Sequence, residues 1–155
     1  MKRDRRLHPL SWGHHPALSL AHRLRKALLG TDPPPLERIS AEFCAFWQEA
    51  LSPHLRAEEE ILLPAVSRHC PHLSLECGTI LEEHRRLVTS TERVSAGGGK
   101  GPFLPLLDLL IQHIRFEERV FFPLVEAGLP PAHFDAVGEA LAERLPGRRC
   151  GWKTS

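Results

Sequence analysis

The pattern His-x-x-x-Glu occurs twice in this chain, as His54-Leu55-Arg56-Ala57-Glu58 and as His113-Ile114-Arg115-Phe116-Glu117. Each copy runs on to a proline six residues past its glutamate, Pro64 and Pro123. On a helix, residues four apart lie one turn above each other on a single face. Counting back from His54 by threes and fours meets Ala50, Trp47, Phe43 and Ile39, and counting back from His113 meets Leu110 and Leu106. Both pairs therefore fall on apolar stripes and are predicted to point into a core. A carboxylate buried there without a partner costs several kcal/mol. A bound cation is the compensation that suits two such carboxylates at once.

The remainder of the chain reads as helices. No segment alternates with period two over a β-branched run, and glycine and proline punctuate four long helical stretches. The first is expected over 13–29, ending at Gly30 before Pro33-Pro34-Pro35. The second spans about 36–68, closed by Cys70-Pro71, with Ile39, Phe43, Phe46, Trp47, Ala50, Ile61, Leu62 and Ala65 inward and a kink expected at Pro53. The third spans about 75–94, with Ile80, Leu81, Leu87 and Val88 on its inner stripe, and a glycine-rich loop over 96–102 follows. The fourth spans about 103–126, with Leu106, Leu110, Val120, Phe121 and Leu124 inward. After Pro130-Pro131 a short C-terminal helix, about 131–145, carries Phe134, Val137 and Leu141 on one side. Short loops between amphipathic helices predict an all-α, up-down-up-down four-helix bundle over about 10–127. At 155 residues the chain is expected to be one domain, 1–155, with frayed ends.

Helices one and three each add a buried histidine. His14 shares a side with Leu18, Ala21 and Leu28, whereas His15 is turned about 100° away beside His22, so His14 is the expected inward residue. His84 stands among Ile80, Leu81, Leu87 and Val88. The candidate metal ligands are then His14, His54, Glu58, His84, His113 and Glu117. Two carboxylates bridging two metals, with two imidazoles on each, would form a dinuclear centre. Such mixed ligands suit iron, manganese or zinc and disfavour calcium and magnesium.

Other polar groups read more plainly. Glu59, Glu60, Glu82, Glu83 and Glu118 read as surface charge. His8, His22 and His133 read as surface residues, and the N-terminal arginines and Arg148-Arg149 as solvated tails. Trp12 and Trp47 read as packing residues and Trp152 as part of a frayed tail. His69-Cys70-Pro71-His72, with Cys77 nearby, could hold a soft metal but lacks ligand spacing on a rigid element. The four cysteines form no CxxC pair and read as mostly packing residues.

Composition narrows the class. Twenty Lys+Arg against 19 Asp+Glu leave a charge of +1, which speaks against nucleic-acid binding through a broad positive field. An apolar share of 42% speaks against a disordered chain. No uncharged run approaches the ~18 residues of a membrane helix, and no signal core follows the basic start. The expected location is the cytoplasm. Tyrosine is absent and so is excluded as ligand, radical site or acid.

One inward histidine, a His-x-x-x-Glu, a further histidine and a second His-x-x-x-Glu together resemble the hemerythrin-like (HHE cation-binding) family. The likeness is carried by His14-His15-Pro16-Ala17-Leu18, residues 46–64, Glu83-His84 and residues 112–123, and covers about residues 8–126. The resemblance implies a bundle holding two non-haem iron ions bridged by carboxylates, with an open position for a small diatomic ligand, oxygen or nitric oxide. Oxygen-carrying members use two histidines one turn apart in the third helix. Here the neighbours of His84 at that spacing are Ile80 and Val88. That departure argues against reversible oxygen carriage and brings the chain closer to bacterial members associated with iron–sulfur repair, nitric oxide handling or iron sensing. The expected function is a di-iron module, monomeric or homodimeric, that binds, senses or buffers oxygen, nitric oxide or labile iron. The alternatives are a di-iron enzyme (peroxidase, nitric oxide reductase or iron–sulfur repair factor), a structural zinc site and a metal-free interaction bundle.

Overall fold

The computed structural model describes residues 2–147. Five helices make up most of this span, and among the described residues there is no strand. They are α1 (His8–Leu29), α2 (residues 36–69), α3 (Ser74–Ser95), α4 (residues 100–128) and α5 (Pro131–Arg144). No helix is long and apolar enough to cross a membrane.

Local chemistry sets the ends. Helix α1 begins at His8 rather than Gly13. A 3₁₀ turn, Arg5–Leu7, leads into it, and Asp4 caps that turn by accepting from the Arg6 N–H. Pro9 falls in the first turn of α1, where its missing N–H is not needed. Between α3 and α4, Gly97 and Gly99 take positive φ of 84° and 82°, a region open to glycine. That reversal lets α4 start at Lys100, ahead of the expected Phe103.

The prolines inside α2 and α4 do not break them. Pro53, Pro64 and Pro123 are each preceded by one widened π turn, at Trp47–Leu51, Glu58–Leu62 and Glu117–Phe121, whereas Pro102 and Pro105 lie in the first turns of α4 without one. In each case the residue just before the proline bonds back five residues: Ser52 to Trp47, Leu63 to Glu58, Phe122 to Glu117. The wider turn accommodates a ring that lacks an N–H and would otherwise crowd the preceding carbonyl. Pro53 therefore sits beside a π turn in a helix that continues past it.

Each π turn adds one residue and advances the buried face. Leu51 is buried where Ala50 was expected, and Val66 where Ala65 was. Phe122 and Val125 are buried, while Val120 and Leu124 are exposed. In α3 the buried stripe runs through Cys77, Ile80, His84, Leu87, Thr91 and Val94. Leu81 and Val88 lie one position off that stripe and are exposed. Trp12, expected to pack, is 60% exposed.

Helix α1 packs on α4, α4 on α3, and α3 on α2. Their apolar side chains form two clusters. One includes Ala17, Leu51, Leu55, Leu87, Leu110 and Ile114; the other includes Leu10, Ala57, Leu62, Ile80, Phe121 and Phe122. In every one of α1 to α4, the candidate ligands fall where the helix passes from one cluster to the other. Helix α5 buries Phe134, Val137 and Leu141 and packs across the N-terminal turn. Arg6 there stacks over Phe134 at 3.8 Å and pairs with Asp4 and Asp135. Arg3 holds Glu118 and Glu126. These two arginines are thus part of the fold, contrary to the expected solvated tail. Arg148, Arg149, Cys150 and Trp152 lie outside the described residues.

Candidate metal centre

The structure brings all six candidate ligands to one buried layer. His14 is 4% exposed, His54 6%, and Glu58, His84, His113 and Glu117 1% each. His15 is exposed, which settles the phase of α1 in favour of His14. His54 and Glu58 face each other at 3.1 Å, and His84 reaches the other oxygen of Glu58 at 3.2 Å. Glu117 receives His14 at 3.1 Å and His113 at 3.4 Å. Two groups of potential ligands result: His14, His54, Glu58 and Glu117, and Glu58, His84, His113 and Glu117. Within each group the ligand atoms all lie within 4.8 Å of one another. The two glutamates belong to both groups, and each group has two imidazoles of its own.

The polar atoms in this layer fit a metal better than they fit each other. Both oxygens of Glu58, both of Glu117, and Nε2 of His84 and of His113 are buried without a hydrogen-bond partner. Six unsatisfied atoms in one core would be strongly destabilising on their own. Oxygen and imidazole donors in this ratio match borderline divalent metals.

Three further carboxylates hold the imidazoles from behind. Nδ1 of His14 lies 2.6 Å from Glu118, Nδ1 of His84 2.8 Å from Glu59, and Nδ1 of His113 2.7 Å from Glu83. An ionised carboxylate only accepts, so each Nδ1 carries the hydrogen and each Nε2 is free to turn a lone pair inward. Glu59, Glu83 and Glu118 are therefore not the plain surface charges the sequence indicated. A signal was available: each is adjacent in sequence to a ligand candidate, as Glu58-Glu59, Glu83-His84 and Glu117-Glu118. Glu60 and Glu82 do pair at the surface, with Arg144 and Arg85. Phe122 stacks on His14 with rings 10° from parallel, fixing that imidazole's plane.

Charge in the layer follows from these contacts. Burial opposes protonation of His14, but the carboxylates of Glu117 and Glu118 on either side of the ring outweigh it and raise the imidazole to about 10. Burial likewise opposes charge on His84, which the nearby carboxylates of Glu58 and Glu59 raise to about 9. Burial disfavours ionised Glu58, yet His54 and His84 hold it well below the usual carboxylate range. Glu118 is kept at about 2, since His14, Ser11 and Arg3 outweigh its burial. Without metal, protons on His14 and His84 take the place of cations.

A family model described as the hemerythrin HHE cation binding domain matches residues 13–125. The chain belongs to that family. Neither a curated protein nor a solved structure matches it. Family membership and the two His/Glu groups mark this hemerythrin-family domain as a metal-binding module.

The remaining histidines stand apart from this layer. His69 stacks on His133 with ring centres 3.6 Å apart. Among the described residues, no group of three or more metal-holding side chains includes His69, Cys70, His72 or Cys77. Cys44, Cys70 and Cys77 are free thiols.

Proposed function

We propose that this hemerythrin-family domain holds two iron ions between Glu58 and Glu117 and uses them to bind or sense a small diatomic species. The observation that carries the reading is the sharing of both glutamates by two ligand groups. His14 and His54 would hold one iron, and His84 and His113 the other. Manganese or zinc would fit the same donors. When bound, iron supplies a redox-active Lewis acid with room for a small ligand. The chain's own residues position the imidazoles through Glu59, Glu83 and Glu118 and exclude water with the two apolar clusters.

Binding is favoured over turnover. Ile80 and Val88 supply no further histidine beside His84, which leaves the second iron fewer protein donors. Glu59, Glu83 and Glu118 are each committed to a histidine and are poor candidates for a mobile acid or base. The clusters also support an up-down-up-down bundle: α1 and α3 run from the Ile80 cluster to the Leu87 cluster, α2 and α4 the opposite way. A single cytoplasmic domain, monomeric or dimeric, completes the proposal.

The test is spectroscopic. Ferrous-loaded protein exposed anaerobically to nitric oxide, or to oxygen, should change its visible absorption with saturation at stoichiometric ligand. An iron-loaded protein that responds to neither contradicts the reading.

A further inference from the structure

Three of the four buried histidines have a carboxylate on Nδ1, and His54 does not. Among the described residues no hydrogen bond reaches its Nδ1, although its Nε2 faces His14 and Glu58. Opposite that edge stands Gly13, where an added Cβ would lie 2.8 Å from Nδ1. Glycine thus keeps the outer edge of this imidazole open. Gly13 and His54 both line a cavity of about 410 Å³ between α1, α2 and the segment after α5. Its size falls in the range of small-molecule sites.

The walls are mostly apolar, built from Pro9, Trp12, Pro16, Leu145 and Pro146, with Arg144 as the one Lys or Arg among the described residues that line it. Among the described residues Glu49 is the one acid on the wall, and it is exposed. Arg144 spends one bond on Glu60, and a guanidinium has five N–H donors. A ligand suited to this space has an apolar body and one anionic group.

We propose that this cavity binds an aliphatic monocarboxylate whose carboxylate accepts from Nδ1–H of His54. The ligand's oxygen takes the place that Glu118, Glu59 and Glu83 take behind the other three imidazoles. The alkyl chain lies along Trp12 and the prolines, and Arg144 favours the anion over a neutral head. Occupancy would complete the set of carboxylate-held imidazoles and so tie a cellular organic acid to the metal layer. The binding step itself needs no metal and stands apart from the iron reading.

The experiment is calorimetric titration of the full chain, iron-loaded and metal-free, with decanoate and with decan-1-ol. Decanoate should saturate at one site per chain, and the alcohol should bind about tenfold more weakly for want of a charge-assisted hydrogen bond. Gly13→Ala should weaken decanoate by at least a similar factor. Trp12→Ala, at a position 60% exposed, should weaken it while leaving the melting temperature unchanged. No saturable binding of decanoate, equal binding of the alcohol, or full affinity in both variants would overturn the proposal. Decanoate binding in a chain that takes up no iron would support the cavity and count against the iron reading alone.

Discussion

Nδ1 of His14 lies 2.6 Å from Oε1 of Glu118, while Nε2 of the same ring lies 3.1 Å from Oε2 of Glu117. Two adjacent glutamates on α4 thus grip one imidazole from opposite edges, one toward the metal layer and one from outside. Arg3 and Ser11 in turn hold Glu118, and Arg3 also lies over Phe122, so the N-terminal segment reaches the centre through that carboxylate and that ring.

Replacing Glu118 by Ala should therefore weaken iron without unfolding the domain. Loss of such an outer partner costs about 10–100-fold in metal affinity. Competition against a chelator measures it, and Glu60→Ala, which removes a surface ion pair with Arg144, is the control expected to change nothing.

His54→Ala and His113→Ala should abolish uptake of at least one iron each, because each removes a donor from a different group. His15→Ala should bind like the parent, its side chain being exposed. Metal content after gel filtration distinguishes these outcomes.

The metal-free chain should carry a pH signature. His14 is raised from 6.5 to about 10, so its stabilisation is complete below pH 6.5 and lost as pH climbs through about 10. Glu118 is lowered from 4.5 to about 2, so its stabilisation is complete above pH 4.5 and lost as pH falls through about 2. Urea midpoints should be highest between these limits and fall on either side. Iron affinity should instead rise with pH across the upper window, since the raised imidazoles of His14 and His84 must lose a proton to bind metal.

Two glycines should respond to alanine with opposite signs. At Gly78, within α3, an added Cβ meets nothing within 4 Å, so Gly78→Ala should stabilise by about 0.5–1 kcal/mol. At Gly138 the Cβ would lie 2.8 Å from Cβ of Arg6 and 3.2 Å from its Cα. Backbone cannot yield there as a side-chain tip can, so Gly138→Ala should lower the melting temperature by loosening α5 from the N-terminal turn.

The buried cluster of His14, His54, Glu58, His84, His113 and Glu117 was legible in the sequence because a carboxylate and a histidine four apart on an apolar stripe have few bland explanations. The choice of His14 over His15 as the inward residue followed from phase alone, and in the structure His14 is buried and His15 exposed. Phase failed beyond the π turns. Ala50, Ala65, Val120 and Leu124 were misplaced because a pattern of 3.6 residues per turn assumes no inserted residue, and Pro53, Pro64 and Pro123 each sit beside one. The outer glutamates were missed for a different reason. A carboxylate at the surface and one turned back toward a histidine look alike until the neighbouring helix is in place. Arg3 and Arg6 were taken for tail because their partners, Glu118, Glu126 and Asp135, lie more than a hundred residues away.

Iron stoichiometry tests the central claim most directly. Chain loaded anaerobically with ferrous iron, freed of excess metal and assayed against protein concentration, should hold two irons per chain. In Glu58→Ala, which removes a residue common to both ligand groups, the count should fall for both positions together. Less than one iron in the parent chain, or an unchanged count in the variant, would contradict a centre built on shared glutamates.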